Sequence, residues 1–164
     1  MPALDEESVI TALIADVQTA VNLPIWVVDD CSSDRTAELA AESGASVIRL
    51  PLRLGAWAAT QAGIRKAASK GLEFVVTMDA DGQHDPRDIA ALVEPLMQGD
   101  CDVVIGSAPN RGSKLRRLAW RLMRLTSGLS CNDLTSGFRV LNKRAIRSLA
   151  GPRASYLDYQ DVGV

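Results

Sequence analysis

The stretch EFVVTMDADGQHDPRDIAALVEPLMQG, residues 73–99, decides how the rest of the chain is read. It opens on the apolar run EFVVTM, too short for a helix and rich in β-branched residues, which predicts a buried strand. The acidic loop Asp79-Ala80-Asp81-Gly82 follows directly. Asp85 then stands at a helix N-cap position with Pro86 in the first turn, where a missing N–H costs nothing. The unit is therefore strand, acidic loop, helix, with the acid at the carboxyl end of the strand.

The same alternation runs outward in both directions. DEESVITALIADVQTAV carries Val9, Leu13, Ile14 and Val17 at helical spacing. IWVVDD is a short strand ending in acid, and SSDRTAELAAESG a helix with Asp34 near its start and Gly44 past its end. SVIRL predicts a strand, GAWAATQAGIRKAASKG an alanine-rich helix closed by Gly71, DVVIG a strand, SKLRRLAWRLMRLTSG a basic helix, and FRVLN a strand leading into a helix from about Lys143. Strands and helices in alternation make crossover units, so the expected fold is α/β, a mostly parallel sheet with helices on both faces. At 164 residues without repeat or linker, residues 1–164 read as one domain.

Composition narrows the function. Hydrophobic residues make up 47% and charged residues 23%, and the net charge is −2, which argues against a nucleic-acid-binding protein. Cys31, Cys101 and Cys131 are scattered and form no CxxC, and the single histidine, His84, is far from them, so a zinc site is not expected and a reduced, cytoplasmic setting is. No signal-peptide pattern and no run near the roughly 20 apolar residues of a membrane helix is visible.

In open α/β sheets, ligands bind outside the carboxyl ends of the strands. Acid collects there: Asp29-Asp30 after IWVV, Asp79 and Asp81 after FVVTM, and Asp133 before FRVLN. Side chains alternate along an extended tip, so Asp79 and Asp81 point the same way and can hold a hard cation such as Mg²⁺ or Mn²⁺. The structural alternative is a solvated turn at Gly82 leading into an N-cap at Asp85.

Position along the chain adds a resemblance. PALDEES (2–8), VVDDCSSDRT (27–36), LGAWAATQAG (54–63), MDADGQHDP (78–86), DVVIGS (102–107) and DLTSGFRVLNKRAI (133–146) come in the order of the motifs of family 2 glycosyltransferases. The chain thus resembles that family, of the GT-A, Rossmann-like nucleotide-diphospho-sugar transferase fold, near its dolichol-phosphate mannose synthase-like and polyprenyl-phosphate glycosyltransferase branch. The resemblance implies a metal-dependent inverting transfer of a sugar from a UDP- or GDP-linked donor to an acceptor, with polyprenyl phosphate the acceptor class of that branch. Pro2, Glu6, Asp30 and Asp79 would bind the nucleotide, and Asp81, with Asp79, would hold Mg²⁺ or Mn²⁺ on the diphosphate. Asp30 is expected to be solvent-accessible at the rim and to contact the base. Cys31 stands where the family has glycine, implying a turn of another backbone form; nothing marks it as a nucleophile.

Asp161 and Asp133 are the candidate catalytic acids, Asp161 as general base, and Arg139 the candidate acceptor contact. The structural alternatives are a helix-start acid, a loop acid and an edge-strand arginine. His84 reads as a loop residue beside the metal motif rather than a ligand. The basic helix, with Lys114, Arg116, Arg117, Arg121 and Arg124, either packs on the core with a solvated face or lies on an anionic membrane, giving peripheral attachment at the cytoplasmic face. Two other functions compete: a nucleotide-sugar-binding domain with little turnover, and a haloacid-dehalogenase-like phosphatase, which Gln83 after Gly82 and the mid-chain motif disfavour.

One expectation concerns what the resemblance would add. In the family a buried strand precedes the motif at Pro2, and an acceptor-side segment follows the region of Asp161. The chain is expected to lack both as a truncated form, or to let strands 25–29 and 74–78 close on each other; either way Pro2 and Glu6 would be poorly anchored.

Overall fold

The computed structural model describes residues 1–106 and 136–156. Within them the chain forms β1 (Pro2–Ala3), α1 (Ile10–Ala20), β2 (Trp26–Asp29), α2 (Thr36–Glu42), β3 (Ser46–Arg49), α3 (Ala56–Ser69), β4 (Phe74–Thr77), α4 (Ile89–Gln98), β5 (Val103–Ile105), β6 (Arg139–Asn142) and α5 (Lys143–Ala150). A 3₁₀ turn, Pro86–Asp88, leads into α4, and its N-cap is Asp85, whose carboxylate accepts the Arg87 N–H. The helix start is therefore where Asp85 and Pro86 placed it, but tighter in its first turn. Asn142 plays the same part for α5, accepting from Arg144 and Ala145.

The strands form two three-stranded ladders, β1-β2-β3, all parallel, and β4-β6-β5. β6 runs antiparallel to both β4 and β5 and lies between them, with Thr77 and Ile105 both opposite Arg139. FRVLN is thus a strand, as expected, but antiparallel, and the alternative of an edge-strand position for Arg139 does not hold. An antiparallel strand starts at the end where its neighbour stops and needs no crossover helix. β6 therefore begins on the rim that carries the end of β4.

α1 buries Ile10, Leu13, Ile14 and Val17, one stripe at helical spacing; Val9 is the residue before the helix, and Ile10 takes the inward place. These residues join Val27, Met78, Ala80, Ile89 and Phe138 in a core that spans both ladders. On the other side α3 presents small residues, so it lies close to β2: a Cβ on Gly63 would stand 3.3 Å from Val28 Cγ2. The same helix grips the end of α5, Trp57 Nε1 donating to the Ala154 carbonyl (3.0 Å), Gln61 Nε2 to that of Leu149 (3.0 Å) and Arg65 Nε to that of Ala150 (3.1 Å).

Two expectations about the first strand are corrected. Residues 1–3 do form its end: the Val28 N–H donates to the Met1 carbonyl (2.8 Å) and the Asp30 N–H to that of Ala3 (2.9 Å). Nor do β2 and β4 close on each other, since they share no ladder. Between them lies an apolar trough of about 450 Å³ lined by Val17, Val21, Trp26, Val28, Ile64 and Val76 among others. The Met1 ammonium sits at its end, donating to the Trp26 carbonyl at 2.8 Å.

Candidate functional site

The loops after β1 and β2 are stitched together at the carboxyl rim. Glu6 N–H donates to Thr36 Oγ1 (2.7 Å), Asp5 N–H to Ser32 Oγ (3.0 Å), and Glu7 N–H to Asp34 Oδ2 (3.1 Å). In return Ser33 N–H donates to Asp5 Oδ1 (2.8 Å) and Arg35 N–H to Glu7 Oε2 (3.1 Å). Pro2 is paired with Val28 in the ladder. Pro2 and Glu6 are thus firmly anchored, contrary to expectation, because β2 pairs with Pro2 and the loop after β2 supplies a partner for the Glu6 N–H. Cys31 takes φ 65°, the left-handed conformation that favours glycine, so the turn keeps that form rather than another.

Asp30 differs most from its expected setting. It is 3% exposed, not open at the rim, and both carboxylate oxygens are occupied: Oδ1 accepts the Leu54 N–H at 2.7 Å and Oδ2 the Gly55 N–H at 2.8 Å. Gly55 is the residue before α3. A carboxylate here meets the unsatisfied donors and positive end of a helix start, which is where a buried anion is stable. Asp30 holds the loop from β3 to α3; it does not face solvent.

Asp79 and Asp81 lie just past β4, both half-buried, and Asp81 Oδ1 accepts the Gln83 N–H at 2.9 Å, closing the turn at Gly82. Asp79 is placed by the neighbouring strand and loop. Its Oδ2 is 3.6 Å from Nε2 of His84, which is buried with its ring 5.0 Å from that of Phe138. His84 is thus a buried loop residue packed beside Asp79. Arg139 begins β6 opposite Thr77, two residues from Asp79, and its Nε donates to the Ser136 carbonyl at 2.7 Å. Pro2, Glu6, Asp79, Asp81 and Arg139 thus share one rim.

The rim is acidic. Burial first, then the carboxylates of Asp81, Asp34 and Asp5, hold Glu6 above its ordinary pKa. Glu6 therefore feels Asp81 across the gap between the two loops. Among the described residues no three His, Cys, Asp or Glu side chains converge as a metal cage. Two carboxylates alone fit Mg²⁺ or Mn²⁺, which take one or two protein oxygens and complete their shell with water and substrate phosphates. They do not fit a closed structural zinc site.

The candidates Asp133 and Asp161, and the basic helix from Ser113, lie outside the described residues. Sequence reasoning missed the roles of Thr36, which is fully buried and ties Asp34 to Glu6, and of Ser32 and Ser33. Their signal was present in the polar run Ser32–Thr36, but its partners lie some 28 residues away.

A parallel three-stranded ladder, a mixed one and a paired carboxylate at the tip of β4 are those of the GT-A class of α/β proteins. The chain matches Glycosyl transferase family 2 over residues 1–152, and it belongs to that family. Among curated relatives, the UDP-N-acetylglucosamine–dolichyl-phosphate N-acetylglucosaminyltransferase of Methanococcus voltae is 28% identical over 92% of this chain and 70% of its own. The polyprenol monophosphomannose synthase of Mycolicibacterium smegmatis is 28% identical over 91% of this chain and 62% of its own. Among solved structures, glucosyl-3-phosphoglycerate synthase from Mycobacterium tuberculosis with Mn²⁺, UDP and glucosyl-3-phosphoglycerate superposes with a TM-score of 0.71 at 28% identity. That similarity covers 87% of this chain and 55% of the other, so the chain spans about half to two thirds of the length of such relatives.

Proposed function

We propose that the chain is the donor-binding part of a metal-dependent, inverting glycosyltransferase that moves a sugar from a nucleoside diphosphate sugar to a polyprenyl phosphate. The observation that carries this reading is the Asp79–Asp81 pair at the tip of β4, close enough to Glu6 for Asp81 to raise its pKa. Such mutual repulsion is relieved by a cation. A bound Mn²⁺ or Mg²⁺ would neutralise the charge that builds on the departing diphosphate. Asp81 and Asp79 would hold it, with His84 and the turn at Gly82 fixing their carboxylates. Pro2 and Glu6 would border the nucleotide, Asp30 would shape its pocket through the loop at Leu54 and Gly55, and Arg139 would meet the anionic acceptor. Asp161 or Asp133 would serve as base where the acceptor is a hydroxyl; an acceptor phosphate needs none.

Relatives named for dolichyl and polyprenol phosphates support a lipid-phosphate acceptor, and the Mn²⁺ and UDP of the solved neighbour support the metal and a nucleoside diphosphate. No helix among the described residues is long and apolar enough to cross a membrane. Peripheral attachment through the basic helix at the cytoplasmic face belongs to the same proposal. So does the domain assignment, residues 1–164 as one domain. A nucleotide-sugar-binding domain with little turnover is the second reading, since the carboxylates on the described rim would hold a metal-bound diphosphate in either case.

Calorimetry with UDP and GDP, with and without Mn²⁺, tests the donor site. Tighter binding in Mn²⁺, lost in Asp81→Ala with the fold intact, is expected. Unchanged affinity and metal dependence in that variant would remove the metal role. Sugar transfer to polyprenyl phosphate separates the transferase from the binding domain.

A further inference from the structure

We infer that Gly137 is a positioning residue for the metal site: its bare α-carbon is the seat against which the Asp79 carboxylate rests. This rests on the proposed role of Asp79. A Cβ built on Gly137 would overlap Cγ and both carboxylate oxygens of Asp79, all three well inside the 3.0 Å that real Cβ atoms respect.

Backbone conformation does not explain the glycine. The glycines with positive φ are Gly44, Gly55, Gly71, Gly82 and Gly99, and Gly137 is not among them. Its φ lies outside the left-handed region that favours glycine, and what crowds a side chain there is the space taken by Asp79. Gly137 itself cannot give way easily. Its carbonyl accepts from Thr77 Oγ1 at 2.7 Å, and the next residue is fixed on both sides: Phe138 N–H donates to Ser136 Oγ (3.2 Å) and its carbonyl accepts the Gly106 N–H (2.8 Å). The Phe138 ring is buried against His84, whose Nε2 is 3.6 Å from Asp79 Oδ2.

The carboxylate is thus bounded by the Gly137 α-carbon and the His84 imidazole. Asp79 is the mobile member, a short side chain with 39% of its surface open to solvent. A methyl group at residue 137 would rotate Asp79 out of its place and leave the strands standing. A ligand carboxylate moved by about an ångström loses most of its value to a hard cation that demands regular geometry. Gly137 therefore sets metal geometry from the opposite strand, with no polar atom of its own side chain to reveal it.

The test is a double-mutant cycle of Gly137→Ala and Asp79→Ala, read by calorimetry of UDP and GDP with and without Mn²⁺ and by urea denaturation. Gly137→Ala should leave metal-free nucleotide affinity as in the wild type and reduce the Mn²⁺-dependent gain at least tenfold. Asp79→Ala should lose the same Mn²⁺-dependent gain, whatever it does to metal-free affinity, and the double variant should lose no more of that gain than Asp79→Ala alone. A full Mn²⁺ gain in Gly137→Ala, or losses that multiply in the double variant, would overturn the inference. A wild type with no Mn²⁺ gain would instead refute the metal reading, and the denaturation arm would then decide. A lower urea midpoint for Gly137→Ala in the wild type but not in the Asp79→Ala background supports the seat; an equal shift in both backgrounds overturns it.

Discussion

Replacing Asp30 with alanine should cost the fold more than the ligand. The substitution removes the acceptor of two backbone N–H groups, those of Leu54 and Gly55, at a site only 3% exposed. A hydrogen bond to a charged group contributes about 1.5–3 kcal/mol, so the pair contributes ~3–6 kcal/mol. Water entering the space left by the carboxylate can satisfy the two donors in part, which brings the expected loss to about 2–4 kcal/mol. That is a large share of the ~5–15 kcal/mol that holds an ordinary domain. With a urea slope of about 2 kcal/mol/M, the denaturation midpoint should fall by roughly 1–2 M. Asp30→Asn should fall between, since an amide keeps one acceptor and turns an NH₂ group toward the other N–H. Nucleotide and inorganic diphosphate affinities, measured well below the midpoint, should weaken together as the 50–55 loop loosens. Coincident urea curves for wild type and Asp30→Ala, with nucleotide affinity lost and diphosphate affinity kept, would refute this and restore a direct base contact.

Three further outcomes are expected. Cys31→Gly removes a left-handed non-glycine residue, worth about 1–2 kcal/mol, against a larger unfolded-state entropy, so calorimetric melting should rise by a few degrees. Burial lowers the Met1 amine from 8.0 to about 6, so between those values the unfolded chain binds more protons and stability should rise from pH 6 to pH 8 by about 2–3 kcal/mol; urea melts across that range should show the slope, and an N-acetylated chain, whose terminus cannot titrate, should show none. Sedimentation with anionic liposomes should bring the protein down at low salt and release it at high salt, since screening at 0.1 M acts over about 10 Å; protein in the supernatant throughout would end the membrane proposal.

What the sequence revealed was what neighbouring residues decide among themselves. Asp85, Pro86 and Arg87 build the entry to α4 within three residues, and the pattern of Leu13, Ile14 and Val17 is enough to orient α1. Asp79 and Asp81 were legible as a pair because strand and loop are contiguous. Asp30 was not, since the donors that occupy it arrive from 24 and 25 residues later, and an acid after an apolar strand looks the same whether it faces solvent or a helix end. The direction of β6 was equally hidden: Arg139–Asn142 is apolar enough for either orientation, and only its pairing with β4 and β5 tells them apart. Gly137 carried no signal at all, because its role is the absence of atoms.

The division of the sheet also bears on how the molecule responds to force. Pro2, Glu6 and the Asp30-held loop belong to the β1-β2-β3 ladder, whereas Asp79, Asp81 and Arg139 belong to β4-β6-β5. Among the described residues no backbone ladder joins the two; helices and side-chain packing do. Sliding of one half past the other breaks contacts that are soft, and leaves every strand hydrogen bond intact. A nucleoside diphosphate lying across the rim would grip one half by its nucleoside and the other through the metal-held phosphates. Such a ligand is a tie-bar: pulled between Asp102 and Arg49, the occupied protein should resist shear to higher load than the empty one, while a nucleoside without phosphates, held on one side only, should add nothing.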